Sequence, residues 1–178
     1  MSARPVSLNL FDFLDGTHRD IQTHLGLLRE VVAAVEDSGL KPDTREKARV
    51  VLTFFNGEAR QHHLDEEQHV FPALLASQNP ELEGATRRLI QDHGWLEENW
   101  LHIEPSIAAA SEGNQWFDPM ELAHALDVFE ALYADHLLLE ESLAYPEARQ
   151  RLAAWDQAGM GREMAQRRHR SQPVSEAA

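Results

Sequence analysis

The chain has 178 residues, a length that suits one domain with a full hydrophobic core. It contains no cysteine, which excludes disulfides, iron-sulfur clusters, thiolate zinc sites and thiol redox chemistry, so any bound metal must be held by histidine and carboxylate. The formal net charge of -14 disfavours nucleic acid and anionic membranes as partners. No apolar stretch approaches the length of a membrane span, and we therefore expect a cytoplasmic protein.

The first half of the sequence predicts two long helices. Apolar residues recur at the helical spacings of three and four from about residue 10 to residue 36. A second helix is predicted to begin near Asp43, where Glu46 completes a capping-box pattern. This helix is expected to stop or kink at Pro72.

The second half repeats this organisation. A third helix is predicted from about residue 81 to residue 110, and a fourth begins at Asp118-Pro119 and runs to about Tyr145. Almost no segment alternates as a strand would, so the fold class is all-α, an up-down-up-down four-helix bundle with a short C-terminal helix or tail. We divide the chain into an N-terminal arm (1-9), the bundle (10-146) and a C-terminal helix with a disordered tail (147-178).

The most informative pattern is a repeated His-x-x-x-Glu motif near the ends of helices two and four. His62 with Glu66 forms the first copy and His136 with Glu140 the second. Each copy is followed, at the same offsets, by a further glutamate, an aromatic residue and a proline. Residues four apart lie on the same face of a helix, so each copy offers one imidazole and one carboxylate to a single point.

Two more histidines occupy matching places early in helices one and three, at nearly equal distances before the two motifs. In an up-down-up-down bundle these positions lie at the same level as the motifs. Burying all of these side chains without a cation would carry a large desolvation penalty. The predicted metal ligands are His18, His62, Glu66, His93, His136 and Glu140.

The neighbours of the motifs are interpreted differently. Glu67 and Glu141 lie one step further round their helices, and we interpret them as solvated or interface acids. His63 is expected to lie off the axis of the site for the same reason. His69 lies seven residues after His62, and packing is the favoured role for it.

This pattern, with its trailing Phe71-Pro72 and Tyr145-Pro146, resembles the hemerythrin or HHE cation-binding domain over roughly residues 10-146. The resemblance implies a four-helix bundle that holds two iron ions, Fe2+ or Fe3+, with an oxo or hydroxo bridge. It implies that each iron takes its histidines from two helices, with Glu66 and Glu140 bridging. Imidazole and carboxylate also accept manganese or zinc as substitutes.

The sequence departs from the oxygen carriers of that family, which have an additional histidine four residues after the helix-three ligand. Glu97 occupies that position here. Unless Glu97 ligates, both irons are expected to have a vacancy, whereas a carrier has one saturated iron and one open iron. Tyr133, three residues before His136, is a candidate hydrogen-bond donor to a bound oxygen species, and a buried structural role suits it equally well.

Several functions remain open at the level of sequence. The first is a non-haem di-iron protein that binds dioxygen or a related small oxidant, for O2 or NO sensing, storage or handling. The second is a di-iron enzyme that acts on peroxide or nitric oxide or donates iron for the repair of damaged iron centres. The third is metal storage. The expected ligand is a small diatomic molecule or peroxide, no protein partner is assigned, and both monomer and homodimer remain open.

Overall fold

The computed structural model describes residues 9-37 and 39-171, and within these ranges every regular element is a helix. The elements are α1 (Leu10–Asp37), α2 (Pro42–Asn56), α3 (Glu58–His69), α4 (Phe71–Leu75), α5 (Pro80–Glu112), α6 (Pro119–Leu139), a π-helical turn (Glu140–Ala144), α7 (Tyr145–Arg151) and α8 (Gln157–Ser171). The predicted all-α class is confirmed. Most of the predicted N-terminal arm and the end of the predicted tail lie outside the described residues.

The long helices form a ring. α1 contacts α2 and α6, and α5 contacts the same two helices on the opposite side. Two apolar clusters fill the interior, one around Phe55, Trp100 and Phe129 and the other around Leu14 and Leu89. Along both α1 and α5 the polar positions singled out by the sequence fall between these clusters, so a buried polar layer separates two apolar ones.

The second predicted helix is interrupted. α2 ends at Asn56, and α3 begins at Glu58; Gly57 between them has a φ of -120° and a ψ of -85°, which are not helical. The capping box predicted at Asp43 is wrong, because the N-cap is Lys41 and no side chain caps the helix. Pro42 accounts for this shift, since proline at the first helical position fixes φ and leaves no N–H to satisfy.

The fourth predicted helix begins as expected and ends differently. The Asp118 carboxylate accepts the backbone N–H groups of Met120 and Glu121 at 2.8 and 3.4 Å. α6 ends at Leu139, and a five-residue π-helical turn joins it to α7. Wide turns of this kind are often found at functional sites.

The C-terminal helix α8 lies against α1 and α3. Arg167 and Arg168 lie 2.7 and 3.3 Å from the two carboxylate oxygens of the fully buried Asp65. The Arg168 guanidinium also packs over the ring of Phe13, 4.0 Å from its centroid. In the described ranges, no helix combines the length and the apolar character that a membrane crossing requires.

Candidate metal centre

The six side chains predicted as ligands meet in the buried polar layer, and they form two groups. The first group consists of His18, His62, Glu66 and Glu140, with one ligand atom from each residue lying within 4.8 Å of the others. The second group consists of Glu66, His93, His136 and Glu140, with the same spacing. All of these side chains are buried, and the two groups overlap at both glutamates.

The helical period within each motif places two of the four histidines beside the glutamate of the same motif. In α3, His62 Nε2 lies 3.5 Å from Glu66 Oε1. In the other motif, His136 Nε2 lies 3.1 Å from Glu140 Oε1. Both pairs are four residues apart, so one helical turn stacks each imidazole over its own carboxylate.

Packing between helices brings the other two histidines to the same glutamates. His18 Nε2 from α1 lies 3.2 Å from Glu140 Oε2. His93 Nε2 from α5 lies 3.3 Å from Glu66 Oε2. Each glutamate therefore faces one imidazole of its own helix and one from a neighbouring helix.

Many buried atoms of this centre have no hydrogen-bond partner among the described residues. They include His62 Nε2, Glu66 Oε2, His93 Nε2, His136 Nε2 and both carboxylate oxygens of Glu140. A buried polar atom left unpaired costs about 1 to 3 kcal/mol, so such a concentration is unfavourable in a protein without a ligand. Imidazole and carboxylate are the ligands that iron, manganese and zinc accept, and the residues present therefore fit a pair of cations.

The protonation of the centre follows from its burial. Burial, reinforced by the neighbouring Glu140, raises the pKa of Glu66 to about 7. Burial also acts to raise the pKa of Glu140, but His136 and His18 outweigh it and hold this pKa well below its usual value. Burial alone would lower the pKa of His136, yet Glu140 and Asp92 raise it to about 10. A cation entering the centre must displace the protons held there.

Glu67 and Glu141 each contact a histidine of another helix. Glu67 Oε1 lies 2.8 Å from His93 Nδ1, and Glu141 Oε1 lies 3.0 Å from His18 Nδ1. When a carboxylate accepts the Nδ1–H of an imidazole, it fixes the ring and leaves Nε2 free to bind a metal. Of the two alternatives drawn from the sequence, solvated or interface acids, the structure therefore favours the interface. Both side chains are partly exposed, and only the fold brings each one beside the histidine of another helix.

The expectation that His63 lies off the axis of the site is also wrong. Its ring stacks on that of His93 with the centroids 4.1 Å apart. It forms a third group of potential ligands with His93 and His136, and its Nε2 is buried without a hydrogen-bond partner. Burial, and then the neighbouring imidazoles, lower its pKa well below the usual value, which keeps a lone pair on the ring.

Glu97 and Tyr133 lie beside the centre. Glu97 forms a bidentate ion pair with Arg60, at 2.9 and 2.5 Å, and belongs to no potential ligand group of the described residues. Tyr133 is buried, with its ring 6.2 Å from that of His63. These four side chains help to line a cavity of about 10 Å³, which is room for about one water-sized molecule.

Tyr145 is a residue of the centre that the sequence interpretation missed. Its hydroxyl donates a hydrogen bond of 2.5 Å to Glu66 Oε1 and lies 2.9 Å from His18 Nε2. Its ring stacks on that of His18. The aromatic residue at the corresponding offset after the first motif is Phe71, so the repeat alone indicated packing.

The fold and this buried layer of imidazoles and carboxylates define a metal-binding helical bundle. The chain matches the family described as "Hemerythrin HHE cation binding domain" over residues 9–148, and it belongs to that family. It is also similar to a protein of Haemophilus influenzae that is named only as uncharacterized. The two are 33% identical over 119 residues, which is 66% of this chain and 66% of that protein. The resemblance found in the sequence is thereby confirmed.

Proposed function

We propose that this centre holds two iron ions and that the iron-loaded protein binds dioxygen, nitric oxide or a related small oxidant. The observation that carries the proposal is the overlap of two buried ligand groups at Glu66 and Glu140. Two carboxylates shared by neighbouring cation positions suit a bridged pair of metals. The choice of iron over manganese or zinc rests on membership of the hemerythrin family, because the ligand types accept all three.

We assign His63 to the cation position beside His93 and His136. That position then has three imidazoles, whereas the other has the two of His18 and His62. His63 thus takes the place of the histidine that Glu97 replaces, and the expected vacancy at both irons becomes a vacancy at one. One saturated and one open metal is the arrangement that the resemblance implies for reversible binding of a small molecule.

A small cavity lies beside the cation position that His63 completes. Its volume of about 10 Å³ admits roughly one water-sized molecule, and Tyr133 and His63 lie on its walls. The partly exposed ion pair between Arg60 and Glu97 also lines it. None of the four residues of the first ligand group lines this cavity, so it is separate from the open cation position.

Spectroscopy on protein loaded anaerobically with Fe2+ tests the proposal. We expect two irons per chain by elemental analysis, and visible bands that appear on exposure to dioxygen or nitric oxide. Bands that vanish again under vacuum support reversible binding. Steady consumption of peroxide that Glu66→Ala abolishes would instead favour an enzyme, and an iron spectrum that no small oxidant alters would leave metal storage.

The two glutamates that hold imidazole rings provide a matched pair of variants. Glu67→Gln is expected to weaken only the cation position served by His93, and Glu141→Gln only the position served by His18. Loss of a partner that orients a metal-bound histidine typically costs about 10- to 100-fold in metal affinity. Titration with Co2+ against a chromophoric chelator should show one weakened and one unchanged step in each variant. Equal weakening of both steps, or of neither, would contradict this assignment.

A further inference from the structure

The position of the Tyr145 hydroxyl is unusual for a structural tyrosine. It lies within hydrogen-bonding distance of two atoms, His18 Nε2 and Glu66 Oε1, that both belong to the first ligand group. Its ring is buried between Phe11 and His18, which fixes where the oxygen points. The hydroxyl is thus part of the polar layer and does not serve only the apolar packing around it.

The spacing of these atoms matches a metal coordination sphere. Ligand atoms bound about 2.1 Å from one cation lie roughly 3 Å apart when adjacent and roughly 4 Å apart when opposite. The Tyr145 oxygen is 2.9 Å from His18 Nε2 and 2.5 Å from Glu66 Oε1, and those two atoms are 4.0 Å from each other. Glu140 Oε2 is 3.2 Å from His18 Nε2, which is again an adjacent spacing. The hydroxyl therefore occupies a place adjacent to two ligand atoms that lie opposite each other.

We propose that the Tyr145 oxygen is itself a ligand of the cation held by His18 and His62, and that a small oxidant must displace it in order to bind there. This inference rests on the proposed function, since it names the occupant of the coordination position left open there. On binding a cation the phenol oxygen forms the metal bond, and its proton is released to solvent. When the exogenous ligand takes the position, the tyrosine oxygen leaves the metal and recovers a proton.

The backbone explains how a residue five positions after Glu140 reaches the same centre. An α-helix turns about 100° per residue, so five residues would place Tyr145 about 140° round the helix from Glu140. The π-helical turn Glu140–Ala144 is wider and turns less per residue, which brings Tyr145 back towards the face of Glu140. Such a turn disrupts the regular helical ladder, and its position directly before Tyr145 is consistent with a role in placing the hydroxyl.

The first copy of the repeat has no hydroxyl at the place equivalent to that of Tyr145. Phe71 occupies the place equivalent to Tyr145, and its ring stacks on His93 as that of Tyr145 stacks on His18. Phenylalanine offers no oxygen. At that cation position the additional group is the imidazole of His63. The two halves therefore differ in the atom that approaches each metal, nitrogen on one side and a phenol oxygen on the other.

Without a cation, Tyr145 remains a neutral hydroxyl. Burial raises its pKa well above the usual value, and the carboxylates of Glu66 and Glu140 add to this effect. It therefore donates its hydrogen bond to Glu66 in the metal-free protein. A bound cation reverses the local electrostatics and favours the deprotonated form of an oxygen ligand.

The test uses the full chain loaded with Fe2+ and then oxidised in air. A phenolate bound to ferric iron gives a visible charge-transfer band and enhanced ring vibrations in the resonance Raman spectrum. The sequence contains two tyrosines, Tyr133 and Tyr145, so Tyr133→Phe is a matched control that also removes one oxygen atom. We expect the signature in the wild type and in Tyr133→Phe, and its complete loss in Tyr145→Phe when the spectra are compared per bound iron. Azide, used as the probe ligand, should bleach the phenolate band of the wild type and saturate Tyr145→Phe at a lower concentration.

A second measurement does not depend on the oxidation state of iron. Zn2+ is colourless, and the ultraviolet difference spectrum on adding it should report one tyrosinate per chain in the wild type and none in Tyr145→Phe. Cation binding without a tyrosinate signal, or a signal that persists in Tyr145→Phe, overturns the ligation of Tyr145 and leaves the proposed function intact. A wild-type protein that binds neither cation contradicts both proposals.

Discussion

Replacing Glu66 with glutamine is expected to reduce the iron content from two per chain to less than one. Glu66 belongs to both ligand groups, and a neutral amide cannot bridge two cations as a carboxylate does. Substitutions that only remove the partner of a metal ligand already cost about 10- to 100-fold in affinity, so the loss of a shared ligand should exceed about 100-fold. Elemental analysis after dialysis against a weak chelator measures the effect.

Glu97→Gln is the matched control for this variant. It makes the same chemical change at a residue that pairs with Arg60 and belongs to no ligand group within the described ranges. This variant should retain two irons. The metal-free Glu66→Gln protein should fold at least as stably as metal-free wild type, because it no longer buries that carboxylate. Retention of both irons by Glu66→Gln, or equal loss from Glu97→Gln, would contradict the shared-ligand assignment.

Removing the metal is expected to lower the melting temperature by about 10 °C. A cation present at about a thousandfold its dissociation constant stabilises the folded state by about 4 kcal/mol, and 1 kcal/mol corresponds to about 2 to 4 °C in a protein of this size. Calorimetry with and without a chelator measures the difference. Glu66→Gln should show no comparable metal-dependent shift, and a wild type whose melting is indifferent to the chelator would argue against the centre.

The size of this stabilisation should depend on pH. Since Glu140 and Asp92 raise the pKa of His136 to about 10 from the usual 6.5, the folded metal-free protein binds this proton more tightly than the unfolded chain does. The protonated His136 therefore contributes fully to the free energy of unfolding below about pH 6.5, and this contribution is lost as the pH rises towards 10. A cation competes with the same proton, so the melting-temperature gain from Zn2+ should grow between pH 6.5 and 8.5. A gain that shrinks over this interval would contradict the argument.

Most of the centre followed from the sequence because it depends on short-range periodicity. The stacking of His62 over Glu66, and of His136 over Glu140, is a property of any regular helix. The sequence also predicted that His18 and His93 lie at the same height in the bundle as the two motifs, because the start of one helix lies beside the end of the next. These regularities need no knowledge of individual side-chain contacts.

The residues that were missed depend on departures from that regularity. His63 is adjacent to His62 in sequence and points about 100° away from it on an ideal helix, yet its ring stacks on His93 in α5. Tyr145 lies directly after a π-helical turn that no residue pattern announces. Glu67 and Glu141 are partly exposed, and their roles depend on how closely neighbouring helices pack. Tertiary packing decided each of these positions, and the period of the sequence did not.

The C-terminal helix α8 contacts Asp65, the residue that directly precedes the ligand Glu66. Arg167 and Arg168 on α8 lie against Asp65, and Asp65 directly precedes Glu66 in the chain. If a cation braces this stretch of α3, occupancy of the centre and attachment of α8 become thermodynamically linked, and linkage is reciprocal. Emptying the centre would then loosen α8, and peeling α8 away would weaken the hold on the cation by the same factor. The attachment of α8 at the protein surface would thereby depend on whether the buried metal centre is occupied.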